Sequence, residues 1–140
     1  MYQYVCLQKP LSVCCDIPEI GDAKHLETCS YSHRKGPVSC SDVKCVFEES
    51  RFLLDQKTLN KESYKNHLKK WAEDNKGWSI AVEEVIKDCV DKEPRQHLNY
   101  SCVAYDVFAC TGFALLKVKS DTSHIFKKKL HFFILQKVHE

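Results

Sequence analysis

Residues 60–77 read NKESYKNHLKKWAEDNKG, and this stretch decides the fold class. Its apolar side chains recur at i, i+4, i+7 and i+8, the spacing of one α-helical face: Tyr64, Leu68, Trp71 and Ala72. Charged side chains occupy the opposite face: Lys61, Lys65, Lys69 and Glu73. Asn60 is suited to cap the N-terminus, and Gly77 is suited to end the helix. The stretch therefore predicts an amphipathic helix with one buried face.

Helical spacing continues on both sides of this stretch. Before it, a helix is predicted from Val43, with an apolar stripe of Val43, Val46, Phe47, Leu53 and Leu54. After it, a helix capped by Ser79 and stopped by Pro94 has one face made of Val82, Val85, Ile86 and Cys89. A last helix begins near Asn99, is ended or weakened by Gly112, and carries Cys102, Tyr105, Val107, Phe108 and Cys110. Short helical turns are predicted around Cys14 and over residues 23–29.

No β-alternation is long enough for a sheet, so the predicted fold is all-α, a bundle of about five to six short helices.

Cysteine content points to an oxidising compartment. Nine of the 140 residues are cysteines, a density typical of secreted proteins stapled by disulfides. Because nine is odd, at least one cysteine has to stay free or pair between molecules. Residues 1–10 have neither the basic nor the apolar segment of a signal peptide, so secretion is inferred from the cysteines alone. The net charge of +2 does not indicate nucleic-acid binding, and no apolar run is long enough to span a bilayer.

The spacing of six cysteines is that of a known family. Intervals of 24, 4, 43, 12 and 7 residues separate Cys15, Cys40, Cys45, Cys89, Cys102 and Cys110. This order resembles the six-cysteine signature of insect odorant-binding proteins, in which the second and third cysteines, and the fifth and sixth, are close together. The run Cys14-Cys-Asp-Ile-Pro18 and the run Lys44-Cys-Val-Phe-Glu48 resemble the Plus-C subclass. The family more often has one residue fewer in the second interval and one more in the last. Plus-C proteins also carry cysteines and a proline beyond the sixth, which this chain lacks.

The resemblance implies both a function and a disulfide pattern. It implies an extracellular, non-enzymatic carrier of odorants or pheromones in olfaction, with an apolar cavity, no cofactor and a chemosensory receptor as partner. The family pairs the first cysteine with the third, the second with the fifth and the fourth with the sixth. This order implies Cys15–Cys45, Cys40–Cys102 and Cys89–Cys110, and Cys14 would pair with Cys29 or Cys6.

The helical stripes supply candidate walls for the cavity, although such stripes are also typical of ordinary core packing. The predicted ligand-binding residues are Phe47, Tyr64, Leu68, Trp71, Val82, Ile86, Tyr105 and Phe108. Tyr64 or Tyr105 could supply a polar contact to the ligand. His67 is the best candidate for a pH-dependent histidine, but a solvated helix face accounts for it more simply. His25, Cys29 and His33 lack the spacing of a closed zinc site, so no metal site is predicted.

The chain divides after residue 110 into a helical domain, 1–110, and a basic, cysteine-free tail, 111–140. The tail places Lys127–Lys129 among apolar and aromatic residues. Membrane-surface association through this tail is therefore one alternative function, although it is not the one we expect. A secreted interaction protein with a solid core is another. The sequence leaves the oligomeric state open.

Overall fold

The structure, a computed structural model, describes residues 17–31 and 37–122. In this part of the chain five α-helices dominate, which confirms the all-α prediction. In chain order they are α1 (Ala23–Thr28), α2 (Cys40–Glu49), α3 (Lys61–Asp74), α4 (Ser79–Val85) and α5 (Val103–Thr122). A 3-10 turn, Lys76–Trp78, precedes α4, and a π-helical turn, Ile86–Asp91, follows it. The predicted turn around Cys14 lies outside the described residues.

Helix α3 forms as its sequence predicts. The Asn60 side chain accepts a hydrogen bond from the Ser63 backbone N–H, and this contact satisfies one of the unpaired donors at the helix start. Glu62 lies in the first turn, where its negative charge meets the positive end of the helix dipole. The buried residues of the helix are those of the predicted face: Tyr64, Leu68, Trp71 and Ala72.

Helix α2 begins earlier and ends earlier than predicted. Ser39 and Asp42 form a capping box, so the helix begins at Cys40 instead of Val43. It ends at Glu49, and Arg51 then takes a left-handed backbone conformation with φ 61°. The expectation that Leu53 and Leu54 continue the helix is therefore wrong.

A short antiparallel hairpin replaces the end of the expected helix. It joins β1 (Leu53–Asp55) to β2 (Thr58–Leu59). The Asp55 carboxylate accepts a hydrogen bond of 2.7 Å from the Lys57 backbone N–H, as is common in tight turns. This bond, with the Thr58 hydroxyl, lowers the pKa of Asp55 below its usual value.

Helix α5 is longer than predicted at its C-terminal end. It begins at Val103 instead of near Asn99 and runs through Gly112 to Thr122 without a break. Leu115, beyond the glycine, is 0% exposed. The predicted division of the chain after residue 110 falls inside this helix, and four residues beyond it pack with the core: Ala114, Leu115, Leu116 and Val118.

Three disulfides join the described helices and loops. Cys40–Cys102 links the start of α2 to the residue before α5, and Cys89–Cys110 links the π-helical turn to α5. These two pairs coincide with pairs that the resemblance implies.

The third disulfide corrects the predicted pairing. Cys45 is bonded to Cys29 and not to Cys15, so Cys29 is not the partner of Cys14 either. Cys29 follows α1 directly, and the packing of α1 on α2 brings its Cα within 5.9 Å of that of Cys45, a separation that a disulfide spans. The interlocked order is kept with Cys29 as its first member. Cys6, Cys14 and Cys15 lie outside the described residues.

Candidate functional site

An apolar pocket of about 60 Å³ lies between the helices. Its walls come from α2, α3, α5, α1 and residues 18–21, which precede α1. Its apolar lining includes Ile20, Leu26, Val43, Val46, Phe47, Phe52 and Phe108. Walls of this kind exclude water and favour an apolar occupant.

Three aromatic rings form one side of the pocket. The Phe52 ring meets the rings of Phe47 and Tyr64 edge to face, at centroid distances of 5.4 and 5.1 Å. The backbone places them together, because the Phe52 N–H donates to the Phe47 carbonyl across the left-handed turn at Arg51. Rings that meet at steep angles attract through their edges and faces, but they do not stack flat against one another.

A buried pair of hydroxyl groups lies in this apolar wall. The Tyr64 hydroxyl of α3 and the Thr111 Oγ1 of α5 are 2.7 Å apart, and each residue is 3% exposed. Burial raises the pKa of Tyr64 to about 12, because the phenolate would lose its hydration, while the bond to Thr111 opposes this shift. Thr111 was not among the predicted wall residues, since residue 111 belongs to the predicted tail.

Segment 17–21, which precedes α1 and has no regular secondary structure, covers one side of the pocket through residues 18–21. The Trp71 Nε1–H donates to the Glu19 carbonyl at 3.0 Å, and His67 Nε2 donates to the Ile20 carbonyl at 2.6 Å. The segment approaches α1 closely, since a Cβ at Gly21 would lie 3.0 Å from Leu26 Cδ2. His67 is thus half-buried against the Phe52 ring and bonded to this segment, and it does not lie on a solvated helix face.

The structure brings together three of the eight predicted wall residues, Phe47, Tyr64 and Phe108. Leu68 and Val82 are buried in the core away from the pocket, and Trp71 is buried with its ring nitrogen on segment 17–21. The two others are half-buried and pack against the core outside the pocket lining: Ile86 and Tyr105. The apolar face of a helix does not distinguish residues that line the pocket from residues that pack in the core, because both kinds lie on the same buried face.

A second, wider concavity of about 540 Å³ lies beside the loop that precedes α5. Charged side chains surround it, among them Lys92, Glu93, Arg95 and Lys117. An apolar ligand gains little from charged, open walls, so the smaller pocket is the candidate site despite its volume. Among the described residues, no group of three His, Cys, Asp or Glu side chains could hold a metal ion. The described helices also include none that is long and apolar enough to cross a membrane.

Comparison with known proteins identifies one relevant relative. The chain is 28% identical over 95 residues to general odorant-binding protein 68 of Anopheles gambiae. The match covers 61% of this chain and 45% of that protein, so the chain spans about half the length of its relative. No family model matches the chain, and no solved structure matches it. The match confirms the resemblance to insect odorant-binding proteins that the cysteine spacing indicates, while the Plus-C subclass stays a prediction.

Proposed function

We propose that this chain, which resembles the insect odorant-binding proteins, is an extracellular carrier of small hydrophobic semiochemicals such as odorants or pheromones. The observation that carries the proposal is the apolar pocket with its aromatic side, enclosed by helices that disulfides hold together. The disulfides also support a secreted location, since such bonds persist in oxidising compartments. A chemosensory receptor is the partner that this role implies.

Burial of the ligand supplies the binding free energy. Each CH₂ group that leaves water contributes about 0.8 kcal/mol before the costs of association are subtracted. Micromolar affinity requires only about 8 kcal/mol in total. Full burial of roughly ten carbons supplies about 8 kcal/mol before these costs, so micromolar affinity requires a longer apolar ligand or additional contacts that offset the costs of association.

The pocket has to widen to hold such a ligand. Its volume of about 60 Å³ is less than half of the ~150 Å³ of an apolar cavity that binds benzene. Residues 18–21 form the wall that we expect to move, and two hydrogen bonds from α3, to Glu19 and Ile20, are among the contacts that would break, while Ile17 stays buried in the core. Each such bond contributes about 1 kcal/mol net, so apolar burial can offset the loss of both.

The small volume also favours a second candidate function. A secreted interaction protein with a solid core would need no cavity, and a gap of about 60 Å³ is compatible with it. The two functions differ in one measurable property, because only the carrier has to exchange apolar ligands with solvent.

Displacement of a fluorescent naphthylamine probe from the oxidised protein tests the proposal. We expect long-chain alcohols or aromatic odorants to displace the probe with micromolar affinity. Val46→Phe, which fills the pocket, should weaken binding at least about tenfold. Ile80→Phe is the matched control, since Ile80 is 62% exposed and does not line the pocket.

Thermal unfolding of both variants verifies that they fold. Failure of every apolar ligand to displace the probe from folded, oxidised protein would exclude the carrier function and leave the solid-core interaction protein.

A further inference from the structure

The hydroxyl pair of Tyr64 and Thr111 is a buried polar feature of a mostly apolar and aromatic pocket lining. Both residues line the pocket, and they come from α3 and α5, which are far apart in sequence. Their hydroxyl oxygens are 2.7 Å apart, a short hydrogen-bond distance. The pair therefore lies at the boundary between the core and the space that a ligand would occupy.

The pair has one hydroxyl proton to spare. Two hydroxyl groups carry two protons, and the bond between Tyr64 and Thr111 uses one of them. Threonines in helices often donate back to the preceding turn, as the Thr28 hydroxyl does to the Lys24 carbonyl at 2.9 Å. The Thr111 hydroxyl makes no such bond to the described residues, and neither does that of Tyr64 beyond their mutual contact. The second proton is therefore available to an acceptor in the pocket.

The surroundings of the pair select against charge. The described lining of the pocket contains no lysine or arginine that could neutralise an anion. His67 lines the pocket, but its Nε2–H is directed to the Ile20 carbonyl. Burial raises the pKa of Tyr64 to about 12, which shows that a negative charge at this position is disfavoured.

We propose that Tyr64 and Thr111 donate one hydrogen bond to an acceptor oxygen of the ligand, so that the pocket selects neutral compounds with an ether, carbonyl or hydroxyl oxygen over hydrocarbons and carboxylates. This inference rests on the proposed carrier function. One hydrogen bond between neutral groups changes affinity by about two- to tenfold, so the selectivity is expected in that range.

Two ligands of closely similar shape test this selectivity: para-ethyltoluene, a hydrocarbon, and para-methylanisole, in which an ether oxygen takes the place of one CH₂ group. Their affinities are measured by displacement of the naphthylamine probe from the wild-type protein and from Tyr64→Phe/Thr111→Val. The double variant replaces both partners by apolar side chains of similar shape, a change that leaves no buried polar atom unpaired. Tyr105→Phe is the control, since Tyr105 does not line the pocket.

The measured quantity is the affinity for the ether divided by the affinity for the hydrocarbon. Comparing this ratio between proteins cancels the different solubilities of the two ligands. We expect the ratio to fall two- to tenfold in the double variant and to stay constant in Tyr105→Phe. The two single variants then show which hydroxyl donates. An unchanged ratio in a double variant that still binds both ligands overturns this inference and leaves the carrier function intact. Failure of both ligands to bind a wild-type protein that does bind long-chain alcohols overturns the inference alone, whereas failure of every apolar ligand overturns the carrier function as well.

Discussion

Two regions of the bundle are similarly apolar but pack differently. Where α4 meets α5, small and branched side chains fill the interface, and Val85 and Leu115 are 0% exposed. Where α2 and the residues after it meet α3, the Phe52 ring meets the rings of Phe47 and Tyr64 at steep angles, and a pocket of about 60 Å³ remains beside them. The comparison shows that side-chain shape decides whether this core is solid or hollow. Small branched groups interdigitate, whereas tilted rings leave gaps.

Each of the two regions has one disulfide of its own, and a third joins them. Cys29–Cys45 lies on the pocket side, Cys89–Cys110 lies on the solid side, and Cys40–Cys102 joins them. The pair that joins the regions closes the longest loop, with a sequence separation of 62 against 16 for Cys29–Cys45.

The largest expected effect is the loss of the disulfide that joins the two regions. Cys40→Ser/Cys102→Ser should lower the free energy of unfolding by about 4 kcal/mol, because the bond removes much of the entropy of a long unfolded loop. The Cys29–Cys45 disulfide closes a shorter loop, so Cys29→Ser/Cys45→Ser should lower the free energy of unfolding by about 3 kcal/mol. Urea denaturation under non-reducing conditions measures both. The reverse order would show that the Cys29–Cys45 staple on the pocket side contributes more than its loop length explains.

The next effect comes from a cavity created in the solid region. Leu115→Ala should lower the free energy of unfolding by about 3 kcal/mol, because close-packed neighbours cannot collapse into the space. Ligand affinity should stay unchanged, since Leu115 does not line the pocket.

Leu54→Ala is the matched control for this cavity, because Leu54 is 68% exposed. This substitution should lower the free energy of unfolding by less than about 0.5 kcal/mol. Denaturation midpoints measure stability, and probe displacement measures affinity. A large change in ligand affinity in Leu115→Ala would contradict the separation of the two regions.

The smallest effect is confined to the pocket and to high pH. Because the pKa of Tyr64 is raised from 10.0 to about 12, the protein keeps this proton between these pH values while the unfolded chain loses it. Tyr64 therefore contributes no pH dependence below pH 10, and from there to about pH 12 it lowers stability by up to about 1.4 kcal/mol per pH unit.

Ultraviolet titration of the tyrosines should show a late ionisation whose amplitude falls by one tyrosine in Tyr64→Phe. Tyr100→Phe, at a position 52% exposed, should retain that late ionisation. A late ionisation of unchanged amplitude in Tyr64→Phe would show that this hydroxyl is not buried as the structure places it.

Local patterns predicted the helices more reliably than the contacts between them. The period of α3 and the cap at Asn60 involve residues three or four apart, and such neighbours interact in any context. The hairpin after α2 was missed because Leu53 and Leu54 also fit the helical period, and the left-handed turn at Arg51 leaves no mark in that period. Apolar periodicity therefore indicates which face is buried but not always where an element ends.

The candidate site shows where this kind of inference stops. Phe47, Tyr64 and Phe108 were predicted as walls, and the structure places them around the pocket. Thr111 and segment 17–21 were not predicted, because a threonine in a helix and an irregular segment carry no periodic signal. The partner of Cys45 was misassigned for a related reason, since spacing alone does not tell which of several upstream cysteines lies beside α2.

The amino-acid sequence alone determined the all-α class, the helix faces, the disulfide-rich character and the resemblance to odorant-binding proteins. Only the tertiary structure decided which cysteine pairs with Cys45, how large the interior space is, and that Tyr64 meets Thr111. The physical reason is the range of the interactions. Periodicity and capping act within one helical turn, whereas the Tyr64–Thr111 bond joins positions 47 residues apart and forms only once α3 and α5 have packed.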